Sequence, residues 1–234
     1  MKTHVHVYAT PEATAAAFAG FFEKWVSEKQ RFTIALSGGS TPKILFQHLA
    51  AQYRERIPWE RVHFFWGDER CVPPDHPESN FKMTDEALFR PVSMPPENIH
   101  RIRGEAPEEE EAVRYSTEIQ QFVPQENGWP AFDLVLLGIG ADGHTASIFP
   151  DRMALLEAEE ICAVATHPES GQRRISLTGR VISNARKVAF LVTGSSKREV
   201  VREILERRGR WESYPASYMR ATEDLYWFLD EAAR

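Results

Sequence analysis

Short apolar runs of strand length alternate with amphipathic segments of helical period along most of the chain. Strands are expected at Phe32–Leu36, Val62–Trp66, Phe132–Leu137, Ile161–Ala165, Arg173–Thr178, Val188–Val192 and Leu225–Phe228. Asn98–Ile102 reads as a short, edge-like strand. Phe132–Leu137 is nearly unbroken in its apolar character, which suits a strand buried on both faces. A helix opens at Thr10-Pro11, with Thr10 placed to cap it and Pro11 at its first position. Its Phe18, Phe21, Phe22 and Trp25 fall on one face and form a core stripe. Further helices are expected with Pro42 in a first turn, over Phe81–Phe89, from Glu108 to about Val123, over Met153–Glu157, over Arg180–Arg186, and from Ser195 or Ser196 to about Arg208. Glu108–Glu111 sit in a first turn, where they favour the helix dipole, and read as a solvated helix start. Strands alternating with helices, with no repeat and no low-complexity linker, argue an α/β fold. Its sheet would be mostly parallel and covered on both faces.

The polar residues cluster where strands end. Ser37-Gly38-Gly39-Ser40-Thr41-Pro42 joins a strand to a helix through a small, glycine-rich turn. Such a turn lets backbone N–H groups and a helix N-terminus face an anion. The spacing is not that of a P-loop, and the LSGG run has no Walker A partner. Gly67-Asp68-Glu69-Arg70 follows the second strand, and Arg70 suits bidentate contact with a phosphate or carboxylate. The proline-rich stretch Val72–Asn80 loops over the site, and Asn80 either caps the next helix or joins the pocket. After Gly138-Ile139-Gly140 come Asp142, Gly143, His144, Thr145 and Ser147: a carboxylate, an imidazole and two hydroxyls beyond a buried strand. Thr193–Lys197 closes the set. Lys197 falls in a helix first turn, where a cation opposes the macrodipole and so points to an anionic partner. Parallel strands bring these four ends to one edge, and one pocket can hold them all.

Composition narrows the classes. The 234 residues suit one large domain, with or without a small annex. With a net charge of −6, the chain offers no electrostatic footprint for nucleic acid, whereas a small anion needs only a local positive pocket. Cys71 and Cys162 have no metal-ligand spacing, and Cys162 reads as a small core residue. No apolar run approaches the ~20 residues of a membrane helix, and no secretory segment is evident at Met1-Lys2-Thr3-His4. The expectation is a cytoplasmic protein without metal or membrane partner.

Four blocks together resemble the 6-phosphogluconolactonase family: Leu36–Pro42 (LSGGSTP), Trp66–Pro73 with Ser79-Asn80, Gly138–Pro150 (GIGADGHTASIFP) and Arg173–Lys197. They span most of the chain in the family's order, and the third is the most specific. Where the family usually carries Leu-Pro-Ala, this chain has Tyr214-Pro215-Ala216. The resemblance implies a Rossmann-like fold, shared with glucosamine-6-phosphate deaminase, over one domain spanning residues 1–234. It implies hydrolysis of 6-phospho-D-glucono-1,5-lactone without a cofactor, by a monomer or weak homo-oligomer. It also implies that Ser37, Gly38, Gly39, Ser40 and Thr41 line the sugar-phosphate pocket, with Asp68 and Asn80 among its contacts. Arg70, Arg174 and Lys197 would supply cationic contacts, and His144 the acid/base group with Asp142 beside it.

Within that reading His144 takes a proton from water attacking C1. Asp142 either orients the imidazole or meets a substrate hydroxyl, and spacing does not separate the two. Arg70 and nearby backbone N–H groups are the candidate oxyanion donors. Ser37 and Ser40 lack the GxSxG elbow of a nucleophile. The deaminase carries a glutamate where Phe149 stands here, before Pro150, which favours the lactonase. The remaining alternatives are that deaminase chemistry and a non-catalytic sugar-phosphate-binding module.

Overall fold

Six parallel strands make the central sheet of the computed structural model, which describes all 234 residues. They are β1 (Lys2–Tyr8), β2 (Phe32–Leu36), β3 (Val62–Trp66), β7 (Leu134–Leu137), β10 (Lys187–Val192) and β11 (Asp224–Asp230), in the spatial order β1-β11-β10-β7-β2-β3. Every residue of β2 and β7 is buried, so both faces of the sheet centre are covered. From β2 the chain steps to β3 on one side, and then returns to lay β7, β10 and β11 on the other. That reversal makes the gap between the carboxyl ends of β2 and β7 a topological switch point, where open α/β sheets bind ligands.

Three further strands form a separate antiparallel sheet: β4 (Asp68–Arg70), β8 (Cys162–Thr166) and β9 (Arg173–Leu177), in the order β4-β9-β8. A two-residue hairpin, β5 (Gln125–Glu126) with β6 (Trp129–Pro130), completes the strands. The sequence places Ile161–Ala165 and Arg173–Thr178 as strands without distinguishing the two sheets. The small sheet pairs Arg70 with Arg174 across β4 and β9, which carries Arg174 to the site.

Helix α1 (Pro11–Ser27) starts as expected, with Thr10 Oγ1 accepting from Ala13 N at 3.2 Å. Phe18, Phe22 and Trp25 are buried, and Phe21 is partly so. α2 (Ser40–Gln52) lies beside α1 and leads away from the carboxyl end of β2. α3 (Asn80–Thr84) continues through a wider turn at Asp85–Phe89 into α4 (Arg90–Val92). α5 (Glu108–Phe122) packs on β8 and β9, and its Tyr115 hydroxyl bonds both backbone groups of Trp66 at the sheet edge. α6 (Gly179–Ser183) and α7 (Arg198–Glu206) precede and follow β10. No helix is long and apolar enough to cross a membrane.

Four expectations need correction. Lys2–Tyr8, given no element from sequence, is an edge strand. Its valines point outward while His4 and His6 stack against Tyr226 and Phe228, so the apolar alternation faces the wrong way to signal burial. Asn98–Ile102 touches β3 through one bridge, Phe64 to Ile99, and does not extend it. Glu108–Glu111 is not wholly solvated, because Glu111 is buried, pairs with Arg114 at 2.6 Å and accepts from Arg103 N at 2.7 Å. Ser195–Lys197 forms a tight turn ahead of α7, and neither serine caps it with its side chain.

Opposite the site, at the amino ends of β2 and β7, buried Asp133 accepts from Thr33 N at 2.9 Å and pairs with Arg186 at 2.7 Å. Asp133→Ala should therefore lower unfolding free energy by on the order of 3 kcal/mol in urea titration, without changing activity per folded molecule.

Candidate active site

The carboxyl ends of β2, β3, β7 and β10 surround one cavity of about 220 Å³. Ser37, Gly38, Gly39, Ser40, Thr41, Asp68, Arg70, Asn80, His144, Arg174 and Lys197 all line it, as the sequence anticipates. Asp142 does not; it stands behind His144.

One side of the cavity is the start of α2. Gly39 precedes it with no side-chain cap, and the first intrahelical bond runs from Lys43 N to Gly39 O. Backbone donors of the first turn are thus available to an anion, on the positive end of the helix dipole. Thr41 and Thr193 join their hydroxyls at 2.8 Å, tying α2 to the end of β10, close in sequence to Lys197.

The cavity lining is also cationic. Arg70 and Arg174 sit opposite each other on β4 and β9, and the Nε of each is buried without a protein acceptor. Arg70 donates to the Glu78 carbonyl, which ties the proline-rich loop to the site. Burial lowers the Arg174 guanidinium from its ordinary value, and neighbouring Arg70 adds to the lowering; Asp68, 3.8 Å away, pulls it back. Two such cations side by side favour an anionic ligand.

Asp68 is itself fixed. Ser147 donates to it at 2.6 Å, and its backbone carbonyl accepts from Asn80 Nδ2 at 2.9 Å. The cap of α3 is Ser79, whose hydroxyl accepts from Lys82 N at 3.1 Å, so Asn80 joins the pocket instead of capping. Both residues are held by Glu69, a buried carboxylate that accepts from Asn80 N and Phe81 N at 2.8 Å and from Ser79 Oγ at 3.0 Å. Burial pushes the Glu69 carboxyl above its ordinary value, against the pull of those bonds.

The His144 imidazole also lines the cavity and is braced by Asp142. His144 Nδ1 is 2.6 Å from Asp142 Oδ1, and the same oxygen accepts from His144 N at 3.2 Å. A carboxylate can only accept, so Nδ1 carries the proton and Nε2 is left as the acceptor. Burial pushes the Asp142 carboxyl up, but the bonds and charge of His144 outweigh it and hold it below its ordinary value. The pair folds over Gly140, where any side chain would collide with the imidazole. On its other flank the ring packs on Phe149, with centroids 4.9 Å apart, and Phe149 in turn lies 5.7 Å from the Arg174 guanidinium.

A model of the glucosamine-6-phosphate isomerase/6-phosphogluconolactonase family matches residues 8–227. The chain belongs to this family. It is 46% identical over 202 residues to the 6-phosphogluconolactonase of Haemophilus influenzae, covering 86% of this chain and 85% of that one. It is 43% identical over 199 residues to that of Treponema pallidum, covering 85% and 83%. The solved 6-phosphogluconolactonase of Trypanosoma brucei superposes with a TM-score of 0.88 at 30% identity, over 99% of this chain and 97% of that one. A monomeric glucosamine-6-phosphate deaminase shares the fold, with a TM-score of 0.83 at 22% identity over 100% of this chain and 98% of that one. Fold alone therefore does not separate the family's two chemistries; the site must.

Several contacts of the site escape sequence reasoning. Glu69 takes its donors from ten to twelve residues downstream, and the partner of Ser147, Asp68, lies on a different strand end. Thr193 belongs to a cluster already singled out, yet its link to Thr41 needs β10 and β2 to flank β7. Ala146 lines the cavity in a left-handed conformation (φ 48°), costing on the order of 1 kcal/mol in a tight turn closed by Thr145 and Ile148.

The Asp142 bond sets the tautomer, which ¹⁵N imidazole spectra read directly. His144 should be Nδ1-protonated in the neutral wild type and mostly Nε2-protonated in Asp142→Ala. Because the Asp142 carboxyl is depressed, the pair's stabilisation is complete above about pH 4 and is lost as pH falls through the lower folded value.

Proposed function

We propose that the protein hydrolyses 6-phospho-D-glucono-1,5-lactone to 6-phospho-D-gluconate, the second step of the oxidative pentose phosphate pathway. The observation that carries this over the deaminase reading is Phe149. At the position where the deaminase has an acid/base glutamate, an aromatic ring packs against His144 and has no proton to give. Moving protons between C1 and C2 needs several acid/base groups, whereas opening an activated ester needs one imidazole.

In this mechanism the substrate phosphate lies against the start of α2, held by Ser37–Thr41 with Lys197 and Arg174. Its binding energy positions the distant C1 carbonyl. Nε2 of His144 removes a proton from water as the oxygen attacks C1. Asp142 steadies the imidazolium that forms. Arg70 and backbone N–H groups stabilise the oxyanion. Collapse breaks the bond from C1 to the ring oxygen, which takes the proton from Nε2. The new carboxylic acid then ionises to solvent. Asp68 and Asn80 are held rigidly enough to read sugar hydroxyls.

A charged sugar phosphate does not cross a membrane unaided, so the reading places the protein in the cytoplasm with its substrate. It acts as one domain over residues 1–234, as a monomer or weak homo-oligomer.

Purified protein should accelerate hydrolysis of freshly generated 6-phosphogluconolactone above the spontaneous rate, in chelator, and should turn over unphosphorylated gluconolactone far less efficiently. It should release no ammonia from glucosamine 6-phosphate. Ammonia release at comparable turnover overturns the reading, and binding without either reaction favours a non-catalytic module.

A further inference from the structure

We propose that Tyr214 is a positioning residue for the turn that carries Asp142 and His144, acting through Gly143. The inference rests on the lactonase reading for its kinetic consequence, though the contact itself does not.

Gly143 separates the two residues in sequence and adopts φ 82°, which strongly favours glycine. Such a residue is free to swing unless something packs on it, and each peptide flanking it belongs to one member of the pair. The pair itself contributes little anchoring burial, since the Asp142 side chain is 44% exposed and that of His144 26%. The anchor comes from the segment after α7. The Cβ, Cγ and Cδ1 atoms of Tyr214 press on Gly143 so closely that a Cβ there would collide with them. Ala216 N then donates to Gly143 O at 3.1 Å. The turn is thus held from outside by one ring and one backbone bond, two residues apart.

Tyr214 is equipped to hold still. It is buried, and its hydroxyl donates to Glu203 Oε2 at 2.6 Å, an oxygen that also accepts from Arg210 N at 3.3 Å. The Arg210 guanidinium lies 5.7 Å from the ring. Burial, and then the Glu203 carboxylate, push the Tyr214 phenol up, which keeps it a hydrogen-bond donor through the neutral range. None of these groups lines the cavity, so Tyr214 influences the reaction only through the turn.

The test combines kinetics with ¹⁵N imidazole spectra of wild type, Tyr214→Ala and Tyr214→Phe. Tyr214→Ala should lower kcat at least ~10-fold with KM within about twofold, because the phosphate end is untouched. The His144 signal should change from one tautomer to a mixture. Tyr214→Phe keeps the ring on Gly143 and should retain kcat to within about threefold. In a His144→Ala background, Tyr214→Ala should cost nothing further, since the two act as one unit. Tyr214→Ala with wild-type kcat and an unchanged imidazole signal overturns the proposal, as does a loss carried by KM. Should Tyr214→Ala fail to fold, Tyr214→Ser serves, since it too lacks the ring atoms that press on Gly143; an unchanged His144 signal there also overturns it. A wild type inert toward the lactone, whose imidazole signal nevertheless changes in Tyr214→Ala, defeats the reaction and leaves the positioning role standing.

Discussion

The parallel register of β3, β2, β7 and β10 is the constraint on which the rest depends. Parallel strands put all their carboxyl ends on one edge, so residues more than 150 positions apart meet without any long-range recognition between their own side chains. Thr41 bonding Thr193 is the direct expression of this. An antiparallel neighbour would have sent one of these loops to the far edge, where Asp133, Arg186 and Thr33 instead form a purely structural polar cluster. The polar groups of the candidate site and the stabilising ones are thus separated by the length of a strand.

The small antiparallel sheet adds what the central sheet lacks. By pairing β4 with β9 it sets Arg70 and Arg174 side by side, a costly arrangement for a chain with no anion to bind. The cost is contained by rigidity. Asp68 is braced by Ser147, and the Ser79 hydroxyl with the Asn80 and Phe81 amides is gripped by Glu69, which holds the polar neighbours of the cations in place. The same logic governs the imidazole, which is held by Asp142 from behind, Phe149 from the side and Tyr214 through Gly143. Preorganised charge beside an oriented base suits ester hydrolysis.

Much of this is legible in the sequence because strand-end motifs are local. The turns at Ser37–Pro42 and Asp142–Ser147 announce themselves through short runs of glycine, hydroxyl and acid/base residues beside apolar strands. What is not legible depends on pairing. The alternation in Lys2–Tyr8 does not declare a buried strand, because its inward side chains are His4, His6 and Tyr8 rather than aliphatic residues. Strands of the two sheets read alike, since length and apolarity carry no information about partners. Spacing leaves the role of Asp142 open, and the fold adds a 2.6 Å contact between its carboxylate and Nδ1 of His144 that no spacing announces. Glu69 looks like one more surface acid until its donors, ten to twelve residues downstream, are folded onto it.

In the proposed hydrolysis Nε2 of His144 is the proton acceptor, a role read out by the pH dependence of His144→Ala. After subtraction of the spontaneous opening, the variant should lose roughly 10²–10⁴-fold in kcat while substrate binding and fold persist. The acidic limb of wild-type kcat/KM, which reports protonation of the imidazole and so falls as pH is lowered, should be absent from the variant. A folded His144→Ala protein that keeps most of its rate, or keeps that limb, would contradict the account.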